Sequence, residues 1–234
     1  MIKPGLAIFA TALMLSACGG KNNTGGKAEM PESAPSQAMA SNQAKVAAAL
    51  SAAGEPFETL TETAFTATPA ELDTSILAAE AAAGTLKPMV PAALSASLQT
   101  HLAAVRRARK SDQRVDLALA SIEGFRRIVS AVPGTPAVPI DVSLLDYAGF
   151  RYDADAQAKP PRWDDMAAAT TYARERWANI SGLAPLAKLR TRFDDGLTAM
   201  EAAVKAHDVT RARAAAKAEL DMVDELETAF QAPN

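Results

Sequence analysis

Few side chains in this sequence are equipped for chemistry, and their spacing limits what they can do. There are two histidines, His101 and His207. A metal site in a helical bundle needs Glu-x-x-His pairs, or a second ligand one turn away. His101 has no Glu or His at i±3 or i±4 and neighbours Leu98 and Leu102, so it reads as a boundary residue. His207 directly precedes Asp208, a helix-capping type, and reads as a residue at the C-terminus of one helix, where the dipole favours a cation. No H-E-x-x-H, G-x-S-x-G, phosphate loop or dinucleotide fingerprint occurs. Carboxylates are more plentiful. Asp221, Asp224 and Glu225 lie at i, i+3 and i+4, and with Asp194 and Asp195 on a partner helix they have the chemistry to gather a hard cation such as Ca²⁺. The simpler reading is a solvated acidic face opposite Val223 and Leu226. An acid–base pair of carboxylates would have to be assembled by the fold and is invisible in linear spacing. The expectation is a protein with no catalytic residue, no bound metal and no cofactor.

Aromatic residues are concentrated instead. Both tryptophans and all three tyrosines fall in one stretch: Tyr147, Tyr152, Trp163, Tyr172 and Trp177, with Phe150 among them. Tyr152 and Trp177 fit apolar helical stripes and read as core. Tyr147, Trp163 and Tyr172 fit less well, and Arg151, Arg174 and Arg176 lie close by in sequence. Large amphipathic rings beside guanidinium groups suit a partner or ligand surface. Tyr147, Trp163, Tyr172, Arg151 and Arg176 are therefore the candidate surface. A basic cluster, Arg106, Arg107, Arg109, Lys110 and Arg114, sits at a helix end and turn and reads mainly as dipole compensation. With a net charge of −3, nucleic acid is not expected as a partner.

The single cysteine carries the clearest message. Lys3 precedes an apolar run, Leu6 to Leu15, which ends in Leu15-Ser16-Ala17-Cys18 followed by Gly19 and Gly20. The run has the length of a signal-peptide core and falls short of the ~20 residues of a membrane span. Leu-Ser-Ala-Cys resembles the lipobox of bacterial lipoproteins. The resemblance implies that residues 1–17 are a signal peptide and that Cys18 carries diacylglycerol at a new N-terminus. Gly19 rather than Asp after the cysteine implies sorting to the outer membrane, with the body in the periplasm. A lipidated Cys18 leaves the body without a thiol, hence with no disulfide and no cysteine nucleophile.

Behind the anchor, residues 18–42 are rich in Gly, Ser, Asn and Pro and nearly free of large apolar groups. They read as a flexible tether with a reach on the order of 25–30 Å. Residues 43–234 read as one all-α domain, a bundle of antiparallel helical hairpins, because alanine dominates and no strand alternation appears. Helices are expected near 43–53 and 69–83, the second opened by the capping box Thr68-Pro69-Ala70-Glu71 and ended by Gly84. The stretch from Phe57 to Thr66 is ambiguous. Three longer hairpins follow, at 91–131, 141–181 and 184–231, with Asp112, Asp141, Asp164 and Asp208 as caps. Pro133-Gly134-Thr135-Pro136 and Pro160-Pro161 separate elements.

In the last hairpin, Val209-Thr210-Arg211-Ala212-Arg213 and the alanines after it resemble the final helix of the soluble four-helix b-type cytochromes. The likeness covers about one sixth of the chain. Glu227 stands where those cytochromes place a haem-ligating His, and no C-x-x-C-H motif occurs. The resemblance therefore implies a bundle without haem. Together these readings predict a non-enzymatic envelope lipoprotein, an accessory or adaptor subunit that binds another envelope protein. The alternative is a periplasmic small-ligand or metal-binding helical bundle.

Overall fold

A computed structural model of the chain describes residues 34–231, with side chains from Met39. Cys18, the expected signal peptide and most of the expected tether lie outside the described residues. Within them the chain forms eight α-helices and no strand. They are α1 (Ala34–Thr63), α2 (Pro69–Leu86), α3 (Ala92–Lys110), α4 (Arg114–Val129), α5 (Ile140–Gln157), α6 (Trp163–Ile180), α7 (Arg190–Ala206) and α8 (Val209–Gln231). A short 3-10 turn, Ala184–Leu186, lies between α6 and α7.

The three expected long hairpins are present as α3/α4, α5/α6 and α7/α8. Two further contacts close them into rings. α1 packs on both α2 and α4, and α2 on α3, so α1–α4 form one four-helix bundle. α5 packs on both α6 and α8, and α6 on α7, so α5–α8 form a second. The α4/α5 contact joins the two.

The first core holds Leu50, Phe57, Leu60, Leu72, Leu98 and Ile122, and the second holds Tyr152, Met166, Trp177, Phe193 and Met200. Helix α5 belongs to both. Val142, Leu145, Ala148 and Tyr152 face the second core, whereas Leu144, Tyr147 and Ala154 plug into the first. It is buried on two sides, which is why it lacks a polar face.

The N-terminal region differs from expectation. Helix α1 starts at Ala34, so the tether stops short of residue 42. Alanine supplies helix propensity there without needing large apolar groups. The helix then runs through Pro56 and takes in most of the ambiguous segment. Leu50, Ala53, Phe57, Leu60 and Ala64 make one continuous buried stripe along it. Burying these side chains offsets the helical hydrogen bond that Pro56 cannot donate.

The caps are mixed. Thr68 and Glu71 form the expected box, with the Thr68 amide donating to Glu71 Oε2 at 2.7 Å. Asp208 Oδ1 accepts from the Arg211 amide at 3.0 Å. Gly84 is not a stop, since α2 continues to Leu86. Asp112 takes a left-handed conformation, φ 51°, and binds Arg114 instead of capping. Asp141 and Asp164 sit inside the first turns of α5 and α6, whose N-caps are Pro139 and Arg162.

Close approach of α1 and α4 rests on Gly124. A Cβ there would lie 2.6 Å from the ring of Phe57, which is fully buried. Ser121 Oγ of the same helix donates to the Phe57 carbonyl at 2.7 Å and holds α1 in place. Gly124→Ala is expected to cost about 1–3 kcal/mol through overpacking, read as a lower urea midpoint with unchanged slope.

Candidate functional site

Because α5 lies between the two bundles, two seams run along it. The first lies among α4, α5 and α6. Here Glu123 Oε1 accepts from Tyr147 Oη at 2.5 Å and also from Arg151. Glu123 Oε2 accepts two bonds from Arg126, at 2.8 and 3.0 Å. The Arg126 guanidinium lies 5.5 Å from the Tyr147 ring centre, and that of Arg176 5.1 Å from Tyr172. The two tyrosines meet edge to face at 5.5 Å. Arg176 reaches Asp141 at 3.3 Å. Burial alone would raise the Glu123 carboxyl, but bonds from Tyr147 and Arg126 and the Arg126 and Arg151 charges outweigh it and hold it below its ordinary value. Burial, then Glu123, pushes the Tyr147 phenol up to about 12.

This seam gathers four of the five expected surface residues: Tyr147, Tyr172, Arg151 and Arg176. It does so as internal mortar. Tyr147 is only 6% exposed, its hydroxyl donating to Glu123 and accepting from Arg151, whereas Arg176 Nε is buried without a hydrogen-bond partner. Trp163 is elsewhere. It opens α6 and stacks on His207, the left-handed residue that ends α7, at 4.9 Å. The five therefore do not form one exposed patch.

The other expected groups are also engaged. Asp221 pairs with Lys217, Glu225 with Arg192, and Asp194 accepts from Trp177 Nε1 at 2.7 Å. Among the described residues no three His, Cys, Asp or Glu groups are arranged to hold a metal ion. In the basic cluster, Arg109 binds Asp73 and Arg106 binds Glu80, while Arg114 donates to the carbonyls of Ala64 and Ala67 at the end of α1. These cations fasten the α3/α4 turn to the first two helices.

The second seam, among α1, α5 and α8, is built of different chemistry and was not foreseen. Glu58 of α1 and Asp146 of α5 lie close enough to act on one another's ionisation. Burial is the largest effect on Glu58 and pushes it up to about 7; the charges of Glu55, Glu227 and Glu62 act in the same direction, against the bond from Asp146. Asp146 is raised well above its ordinary value by burial and then by Glu58, Glu219 and Glu227. Glu219 of α8 has no exposed surface, and neither carboxyl oxygen has a hydrogen-bond partner. Burial raises its carboxyl strongly. Its Oε2 presses on α5 at Gly149, where an added Cβ would lie 2.0 Å away. Gly149 is one helical turn from Asp146.

An open groove of about 410 Å³ lies between α1 and α8, floored by α5. Phe65, Phe150 and Leu220 line its middle. Glu62, Asp153, Arg213 and Lys217 also line it, with Arg213 3.9 Å from Asp153 and Lys217 paired with Asp221. Glu58 and Asp146 are partly buried and are not among the residues that line it.

One signal in the sequence pointed here. Glu219 stands four residues from Ala215 and from Val223, on the buried stripe of α8, where an acidic residue is out of place. The same stripe read through Leu220 hides it. Asp146 between Leu145 and Tyr147 gives no comparable sign, because a second buried face of α5 is a property of the assembled bundles.

Comparison with protein families, with curated proteins and with solved structures finds no significant match.

Proposed function

We propose that the chain is a non-catalytic lipoprotein of the bacterial envelope, anchored through Cys18 at the outer membrane and facing the periplasm, whose double bundle acts as an accessory subunit by docking another envelope protein. The observation that carries the docking part is the groove between α1 and α8. It is open, and Phe65, Phe150 and Leu220 line it beside the charged Glu62, Asp153, Arg213 and Lys217. Such a groove suits a segment of protein more than an enclosed small molecule. The anchor rests on Leu15-Ser16-Ala17-Cys18. None of the described helices is long and apolar enough to cross a membrane, so attachment by lipid is the route the sequence offers.

The neighbouring carboxyls of Glu58 and Asp146 also favour a second reading, acid–base catalysis.

Two results test the proposal. Cys18→Ala should move the protein from the membrane fraction to the soluble envelope fraction. Cross-linking in living cells, followed by purification through a C-terminal tag, should yield one stoichiometric envelope protein. Reversing charge on exposed groove residues, Glu62→Lys with Lys217→Glu, should abolish that product. Leu77→Asp on the exposed face of α2 should leave it intact. Loss in both variants, or in neither, would refute docking at the groove.

A further inference from the structure

The two ends of the molecule differ in chemistry. Helix α1 starts where α2, α4 and α6 finish and where α3, α5 and α7 start. Val46, Val90, Leu94, Val132 and Ile140 pack there on one cluster, Asp141 meets Arg176 and Asn179, and Arg190 donates to the Ser181 carbonyl. Three connections therefore share this end, residues 87–91, 130–139 and 181–189. None of them holds an Asp or Glu. Met89 and Leu183 within them are exposed, as is Met39 in the first turns of α1, and so are the cations Lys87, Arg127 and Lys188. Among the described residues the other exposed large apolar side chain is Leu77, midway along α2. The connections at the opposite end, residues 64–68, 111–113, 158–162 and 207–208, expose none.

The backbone of this end also suits a drier layer. Pro133, Pro136 and Pro139 recur through the longest connection, and Pro88, Pro91 and Pro185 stand in the others. A proline has no N–H, so fewer donors lose water when such a loop leaves it. Exposed apolar side chains beside lysine and arginine match a bilayer interface, where the apolar groups enter the acyl boundary and the cations meet phosphate. The place of the anchor selects lipid over a protein partner. Residues 18–33, fully extended, span at most about 55 Å. The opposite end of the body lies about 45 Å from Ala34 along α1. A lipidated Cys18 therefore keeps the start of α1 near the bilayer. It brings the opposite end there only if the chain runs back along the body at nearly full stretch.

We propose, resting on the lipid anchor read at Cys18, that this end is a membrane-contact face. Met39, Met89 and Leu183 enter the headgroup layer of the bilayer that holds the anchor, and Lys87, Arg127 and Lys188 meet its phosphates. Helix α1 begins about 18 Å before Val46, where its packing starts, and every side chain from Met39 to Lys45 is exposed. The long axis therefore stands tilted, with the start of α1 along the surface. Thr61, Phe65, Asp153 and Arg213 of the groove lie in the opposite half and stay clear of lipid.

A lipidated Cys18 leaves the body without a thiol, so one introduced cysteine takes an environment-sensitive fluorophore at one place. The test uses the full lipidated chain in vesicles of phosphatidylethanolamine and phosphatidylglycerol. Labels go on Met39→Cys, Met89→Cys and Leu183→Cys, and on Thr66→Cys at the opposite end. Brominated phospholipid should quench the first three and leave the label at 66 bright. Lys87→Glu with Lys188→Glu, which removes no apolar group, should weaken quenching at 89 and 183, and added salt should do the same. Unchanged helical circular dichroism shows that each variant is folded. Equal quenching at 66, or none at 39, 89 and 183, would overturn the proposal. So would a photocrosslinker on Leu183→Cys that captures a protein in cells and no lipid. Failure of the anchor reading is separate: a parent chain that takes label at Cys18 carries no lipid. The same labels in the Cys18→Ala chain then decide the face alone, quenching at 89 and 183 supporting it and none refuting it.

Discussion

Glu219→Gln should stabilise the folded chain at pH 8 by about 3 kcal/mol, and leave it nearly unchanged at pH 4. The cause is the buried, unpartnered carboxyl of Glu219. Its folded-state pKa is raised by burial. In the unfolded chain a glutamate releases its proton near pH 4.3. Between that value and the higher folded one, the folded state holds more protons than the unfolded state. Stability is therefore full below the unfolded value and falls as pH rises toward the folded value. Glu58 adds a second loss with the same sign, from its ordinary 4.5 up to about 7. Glutamine matches the protonated acid in shape and cannot ionise, so it removes the Glu219 part alone. Thermal melts of both proteins at the two pH values check this. A difference of roughly 10 °C is expected at pH 8 and little at pH 4. Equal melting at pH 8 would mean that Glu219 finds a charge partner in solution.

Gly149→Ala should cost about 3 kcal/mol or more, at the upper end of overpacking effects. The added Cβ would lie 2.0 Å from Glu219 Oε2 and 2.8 Å from Leu220 Cδ2. α5 and α8 are both held in the second bundle, so neither helix retreats freely. The acid side chain is the softer obstacle. In the double variant with Glu219→Ala, the cost should be well below the sum of the two single costs, by about 1–3 kcal/mol. Urea unfolding of the four proteins measures that coupling. Additive costs would place the Glu219 carboxyl away from Gly149.

Local punctuation made the long hairpins legible. Pro91, the loop around Gly134, Pro160-Pro161 and Asp208 each mark a boundary that the fold respects to within a few residues. Periodicity named most of the core correctly, from Leu98 and Leu102 to Phe193 and Met200. Ring closure was not legible, because α1/α4 and α5/α8 contacts are made far apart in sequence. The length of α1 was not legible, since Thr59, Thr61, Thr63 and Thr66 weaken a helical reading while the burial of Phe57 and Leu60 that sustains the helix belongs to the assembled fold.

The aromatic concentration divides. Tyr152 and Trp177 sit in the core as their helical stripes indicate, donating to the Met200 carbonyl and to Asp194. Tyr147 is buried as well, because its hydroxyl meets Glu123 on a helix that linear spacing does not bring near. The candidate site is assembled from Glu58, Asp146 and Glu219 on three helices, and only Glu219 betrayed itself by its place on an apolar stripe.

The most direct test of the buried acidic seam is a carboxyl-carbon NMR titration of the protein, from about pH 4 to pH 9. The account predicts that Glu58 and Asp146 titrate as a coupled pair, with Glu58 changing near pH 7 and Asp146 keeping its proton far above the ordinary aspartate range. If both carboxyls ionise together near pH 4, burial does not hold either one protonated and the account of this seam is wrong.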